Sequence, residues 1–213
     1  MKFDVSPGVS RFTIENVDPH LRGELDKRIF GLAREAGEFA KANSNLFEAA
    51  ILRQMAGWIT EKGNISYELS PECHAMWKEA LALLTRGERR EWKEFQIHLS
   101  KKFNHLLNEV IAVGGGAIAA IWIIEPSCEF WDEHHKFDGV AMIVKGSWAD
   151  KRGYLKPAPI GYFGDTCPPG NKFDCTCRER WVFNLRALPE SALTNEGRID
   201  LEKAQSQIAK IRG

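Results

Sequence analysis

The chain has 213 residues, with 29 lysines and arginines against 29 aspartates and glutamates, and five cysteines. A formal charge of zero removes any global electrostatic drive toward nucleic acid or an anionic membrane, and the length suffices to bury a core without disulfide staples. The start, Met1-Lys2-Phe3-Asp4, lacks the apolar stretch of a secretory signal, and the most apolar run, Val110 to Ile124, is broken by Gly114-Gly115-Gly116 before it reaches the ~20 residues of a membrane span. We therefore expect a chain kept in a cytosol-like compartment with no membrane partner. There, clustered cysteines serve as thiols or metal ligands rather than as a disulfide framework.

Residues 1–18 alternate without helical spacing and are punctuated by Pro7-Gly8 and Asp18-Pro19, which predicts an extended arm that needs a partner surface. From Pro19, with Asp18 as N-cap, Leu21, Leu25, Ile29, Leu32, Ala36 and Phe39 recur every three or four residues and predict a first helix. Ser44 opens a second, carried by Phe47, Ile51, Met55 and Trp58 and stopped at Gly63. The alternation in Asn64 to Leu69 reads as a short strand or an irregular loop. Ser70-Pro71-Glu72 opens a third helix with Met76, Trp77, Ala80 and Leu84. After a break at Gly87, Trp92, Phe95, Leu99, Phe103, Leu106 and Val110 predict a fourth. The wide apolar stripes assign these aromatics to a shared helical core rather than to a cofactor pocket.

Beyond Gly116 the character changes. Ile118 to Ile124 is rich in β-branched residues and reads as a buried strand, followed by short segments, glycines, prolines and four of the five cysteines. Pro189-Glu190-Ser191 starts a polar terminal helix bearing Ile199, Ala204, Ile208 and Ile211. The expected class is α+β, with an arm at 1–18, a bundle-like helical domain at 19–116, a β-rich Cys/His module at 117–188 and a helical tail at 189–213.

Chemistry concentrates in the module, in Cys128, His134, His135, Asp138, Cys167, Cys175 and Cys177. Thiolate and imidazole are the ligands Zn²⁺ prefers, and a structural site closes with four of them. Cys128, His134, Cys175 and Cys177 are the candidate set. Their spacing argues the other way: residues i and i+2 on a strand sit about 6.5 Å apart, so Cys175 and Cys177 share an ion only if the chain bends, and buried cysteines also pack as small hydrophobes. That weighs toward thiols that fold the module with no cofactor, leaving zinc as the alternative. An enzymatic version would have Asp132 or Glu133 activate a metal-bound water, or a Cys–His pair act as nucleophile and base, but neither has a distinguishing spacing. His98 and His105 read as packing or surface positions, and Cys73-His74 as a buried thiol beside a surface imidazole. Gly114-Gly115-Gly116 precedes a strand instead of opening a helix, which favours a tight turn over a phosphate cradle. The basic residues from Arg86 to Lys102 are interleaved with glutamates, as on a solvated helix, so nucleic-acid contact is possible but not indicated.

In order, the C-terminal part carries a strand with Trp122, then Cys128, His134, Asp138-Gly139, the apolar strand Val140 to Val144, Gly164-Asp165, Pro168-Pro169-Gly170, Cys175-x-Cys177 and Trp181-Val182-Phe183. Over residues 105–183 this order resembles the C-terminal domain of phage minor head proteins of the Mu F type. It departs from that pattern in Thr176 between the cysteines and in the six residues from Cys128 to His134. The resemblance implies a non-enzymatic virion protein, made in the host cytoplasm and present near the portal. It further implies action in head assembly or genome delivery, with other head proteins (portal, capsid or connector) as partners. A zinc-dependent, nuclease-like hydrolase built on the Cys/His module is the alternative, and a host-cell interaction module a third reading.

Overall fold

The computed structural model describes residues 19–58, 69–165 and 175–212. The expected arm, the Asn64 to Leu69 alternation up to Glu68, Asp18 as a cap, Cys167 and the Pro168-Pro169-Gly170 bend all lie outside the described residues. The class is α+β, and the chain divides into two units, Met1–Ile111 and Ala112–Gly213.

The first unit is helical. Helices α1 (Pro19–Ala40), α2 (Ser44–Trp58), α3 (Pro71–Ala82) and α4 (Arg86–Gly114) follow one another, with α1 and α2 joined by a short 3-10 turn at Lys41–Asn43. Their three-and-four spacing is realised in one core: Leu25, Ile29, Leu32 and Ala36 of α1 meet Phe47, Ile51 and Met55 of α2 and Trp92, Leu99, Phe103, Leu107 and Val110 of α4. Trp92 sits among Phe39, Phe47, Trp77 and Phe95, with its ring 4.7 Å from Phe47 edge-on and 5.3 Å from Trp77. The Trp77 indole is satisfied in this core by the buried Gln54 amide oxygen at 2.7 Å. At the rim, Lys102 pairs with Glu35 and Arg28 with Glu109, each at 2.7 Å, and fixes the register of α4 against α1.

Two helix starts differ from the sequence reading. The fourth helix begins before Gly87, at Arg86, because Thr85 and Glu88 close a reciprocal cap. The Glu88 carboxylate accepts from the Thr85 backbone N–H at 2.8 Å, and the Glu88 N–H donates to the Thr85 hydroxyl at 3.3 Å. Gly87 therefore lies inside the first turn and breaks nothing. At the other end, Gly116 adopts a φ of 85°, and the Ala117 and Gly116 N–H groups return to the carbonyls of Ala112 and Val113. The triple glycine is a helix stop, as expected, made possible by a left-handed residue that only glycine adopts cheaply. The terminal helix, α7 (Asn195–Arg212), starts later than Pro189. Pro189 leads instead into a 3-10 turn at Glu190–Ala192, and Thr194 caps α7 by accepting from the Gly197 N–H at 3.1 Å.

The second unit is built on a three-stranded antiparallel sheet in the order β2-β1-β3, from β1 (Ala119–Ile123), β2 (Ala141–Ile143) and β3 (Arg178–Val182). Two four-residue helices, α5 (Trp131–His134) and α6 (Trp148–Lys151), lie in its connections. The central strand is covered on both faces, which is why it reads as a continuous apolar run rather than an alternating one. Ala119, Ile121, Ala141 and Ile143 pack with Ala149, Leu155, Leu185, Ala192 and Leu193 on one side. Ala120, Trp122 and Met142 pack with Cys128, Cys175 and Cys177 on the other. The start of the 189–213 segment is thus part of this unit's core, with Gly197 so close to the Tyr154 carbonyl that a Cβ there would stand 2.4 Å from its oxygen. Later residues of α7 are exposed, Ile199 and Ile208 among them.

Thr85→Ala is expected to lower the stability of the helical unit by about 1 kcal/mol through loss of the cap, read from the urea midpoint. Gly197→Ala is expected to destabilise the second unit more than the same change at Gly57, around which the structure leaves open space, because the Tyr154 backbone cannot give way as a side-chain tip can.

Candidate metal centre

Strand pairing converges the site. Antiparallel pairing of β1 with β3 sets Ile123 opposite Arg178, so the chain leaving β1 and the chain entering β3 meet at one end of the sheet. Cys128 lies five residues beyond that end of β1 and Cys177 immediately precedes β3. Two contacts fasten these segments beside the cysteines: Glu125 pairs with Arg178 at 2.6 Å, and the Ser127 and Thr176 hydroxyls lie 3.3 Å apart. The Cys128 N–H donates to the Glu125 carbonyl at 2.9 Å and the Trp131 N–H to the Cys128 carbonyl at 3.2 Å, which turns the chain into α5. His134, at the end of α5, is thereby brought back over Cys128.

Asp138-Gly139 closes the same end. The Asp138 carboxylate accepts from the Ile124 N–H at 3.0 Å, Gly139 takes a φ of 72°, and its N–H donates to the Trp122 carbonyl at 2.9 Å. Asp138 is therefore a turn residue that starts β2. Cys175 and Cys177 stand on irregular chain ahead of β3 rather than on the strand. This removes the i, i+2 objection, which assumed extended backbone between them.

The result is a compact four-atom cluster. Cys177 Sγ lies 3.4 Å from Cys128 Sγ, which in turn lies 4.0 Å from Cys175 Sγ. His134 Nδ1 stands 3.5 Å from both Cys128 and Cys177 and 3.7 Å from Cys175. All four ligand atoms fall within 4.8 Å of one another, and all four residues are buried. This group can hold a metal ion. Ligand bonds of about 2.3 Å to sulfur and about 2.05 Å to nitrogen in a tetrahedron give sulfur–sulfur edges of about 3.8 Å and sulfur–nitrogen edges of about 3.5 Å. Five of the six edges, at 3.4–4.0 Å, scatter around those values, and the Cys175–Cys177 edge is within 4.8 Å, so a central ion would draw those two sulfurs together. The geometry is compatible with the zinc alternative that the sequence left open.

Electrostatics leads to the same group. Burial resists ionisation of Cys128, yet backbone N–H donors from Phe130 and Thr176 and the neighbouring thiols of Cys177 and Cys175 outweigh it and hold Cys128 below the usual thiol range. Burial pushes Cys177 up to about 12, against help from the Trp122 side chain and with the Cys128 and Cys175 sulfurs opposing a further negative charge. The two thiols are thus shifted in opposite directions, and a cation between them would favour ionisation of both. Around the ligands lie Trp122, 5.2 Å edge-on from the His134 ring, with Phe130 at 5.5 Å and Phe137 at 6.5 Å from the same ring. This apolar wall keeps water away from the cluster.

The other candidates are not brought in. His135 is exposed, with Nδ1 3.2 Å from the Trp131 carbonyl oxygen, and Asp132 and Glu133 are exposed on α5. His98 is buried in the helical unit beside Phe95, 6.2 Å between ring centroids, and Cys73 is buried in α3. The backbone donors to the sulfurs have no counterpart in the sequence reading, since a main-chain N–H has no residue signature. Trp122 reads there only as a strand residue.

Comparison with protein-family models, curated proteins and solved structures finds no match for this chain.

His134→Ala and Cys177→Ser are each expected to abolish saturable binding of Co²⁺, followed by its thiolate charge-transfer absorption. His135→Ala and Cys73→Ser should bind as the parent chain does. Equal losses in all four variants would count against the cluster.

Proposed function

We propose that Cys128, His134, Cys175 and Cys177 hold Zn²⁺ as a closed structural site, and that the protein so stabilised is a minor head component of a tailed-phage virion. The observation that carries the metal assignment is the convergence of four buried ligand atoms to within 4.8 Å of one another, five of their six edges being close to those of a tetrahedral site. Three sulfurs and one imidazole select a thiophilic borderline ion, and hard cations such as Mg²⁺ and Ca²⁺ demand oxygen ligands that this group lacks. When bound, the ion supplies the positive charge that lets the thiols ionise together in an apolar core.

A structural role fits better than a hydrolytic one. Catalytic zinc keeps one position for water or substrate, whereas this group offers four protein ligands, all of them buried. The carboxylates that a hydrolytic reading needs as a base, Asp132 and Glu133, are on the outer surface of α5. The virion reading rests on the resemblance in the order of elements, and what supports it is that the shared features have physical tasks: Asp138-Gly139 turns the chain into β2, and Cys175-x-Cys177 supplies two ligands. In this reading the role is scaffolding near the portal during head assembly or genome delivery, with other head proteins as partners.

Native mass spectrometry should find one zinc per chain, and stripping it with a chelator should lower the unfolding midpoint of the second unit by calorimetry while leaving the helical unit's transition in place. Structural zinc contributes on the order of 10 kcal/mol to small modules near neutral pH, so the effect is large. For the virion role, purified particles should contain the chain when digested and analysed by mass spectrometry; particles lacking it would refute that role without touching the metal assignment.

A further inference from the structure

We propose that the indole N–H of Trp122 is an outer hydrogen-bond donor to the Cys177 sulfur, so that Trp122 positions and tunes the metal centre rather than merely filling the core. This rests on the zinc reading above and extends it to a residue that is not a ligand.

Trp122 is 1 % exposed, and its position on β1 is fixed from both sides: its N–H donates to the Val140 carbonyl at 3.0 Å, its carbonyl accepts from Gly139 at 2.9 Å, and its Cα pairs with Glu179. The side chain shares the sheet face of Ala120 and Met142 and packs with Cys128, Cys175 and Cys177. Its indole nitrogen is buried without an acceptor at full hydrogen-bonding geometry. A buried indole N–H left unpaired costs about 1–3 kcal/mol. Two other indoles among the described residues share that condition: Trp92 belongs to the helical unit, and Trp181 stands edge-on to Phe163 at 4.8 Å. Trp181 is only partly buried against the sulfur cluster, whereas Trp122 is buried within it, its ring 5.2 Å from that of His134, whose Nδ1 stands 3.5 Å from the Cys177 sulfur, and its side chain acts on Cys177.

Trp122 is buried together with Cys128, Cys175 and Cys177, so the sulfurs are the polar atoms of the cluster it packs in. A thiolate is a better acceptor than a thiol, so the contact strengthens once Cys177 is ionised as a ligand. Outer donors of this kind commonly change metal affinity about 10- to 100-fold. Trp122 also stands edge-on to His134, so the same ring orients two of the four ligands, one by its N–H and one by its flank.

The direct test uses the unaltered protein loaded with ¹¹³Cd²⁺. The indole Hε1 of Trp122 should show scalar coupling to the cadmium nucleus, transmitted through the Cys177 sulfur. In the Co²⁺ form, Trp122→Phe should shift the thiolate charge-transfer band to lower energy and weaken Co²⁺ binding about 10-fold or more, because an unshielded sulfur lone pair is raised in energy. Trp181→Phe, which removes a buried indole of the same unit, should leave the band where it is. A fully loaded protein with no coupling to Trp122, or a Trp122→Phe centre with an unshifted band, overturns the proposal and leaves the zinc assignment standing. A chain that takes up neither ion overturns both. Should Trp122→Phe fail to fold, the coupling measurement on the parent chain decides alone.

Discussion

Three buried thiols and an imidazole crowded at one end of a small sheet pose an electrostatic problem on which the second unit depends. Burial pushes Cys177 up to about 12, while main-chain donors hold Cys128 below the usual thiol range. A divalent cation resolves this by making each further ionisation favourable. The face of the sheet that carries Ala120, Trp122 and Met142 packs against these three sulfurs. The opposite face has ordinary apolar cover from Leu155, Leu185 and Leu193. The two faces of the same strands are thus held by different physics, one by apolar burial and one by a candidate metal centre.

Among its described residues the helical unit has no such group. Its core is a run of interlocking aromatics around Trp92, whose indole nitrogen is buried without a partner, while Trp77 is satisfied inside by Gln54 and Lys102 pairs with Glu35 at the rim. Rim ion pairs of this kind contribute about 0–1 kcal/mol each and serve mainly to choose a register. Stability here comes from area buried along the stripes of α1, α2 and α4. A metal bound at the cluster would therefore stabilise the second unit in particular.

What could be read in the sequence followed periodicity. Apolar positions three and four apart mark the four helices nearly to their ends, and the β-branched run marks the central strand. Starts are less legible: Gly87 looks like a break only while the reciprocal cap of Thr85 and Glu88, visible as Thr-x-x-Glu, is passed over in favour of the glycine. The same holds at Pro189, where a 3-10 turn intervenes before Thr194 caps α7. The four ligands are named by residue type but weighed against by spacing, because spacing along the chain says nothing of an antiparallel register that sets Ile123 beside Arg178. The sequence separation of 41 between His134 and Cys175 is closed by strand pairing, not by local geometry.

The central claim is that the cluster is a closed zinc site of three sulfurs and one nitrogen. X-ray absorption at the zinc edge of the purified protein reads this ligand shell directly. The account predicts sulfur scatterers at about 2.3 Å and a single imidazole nitrogen at about 2.0 Å, in a ratio of about three to one with no oxygen in the shell. A shell containing a water oxygen, or fewer than three sulfurs, would contradict it.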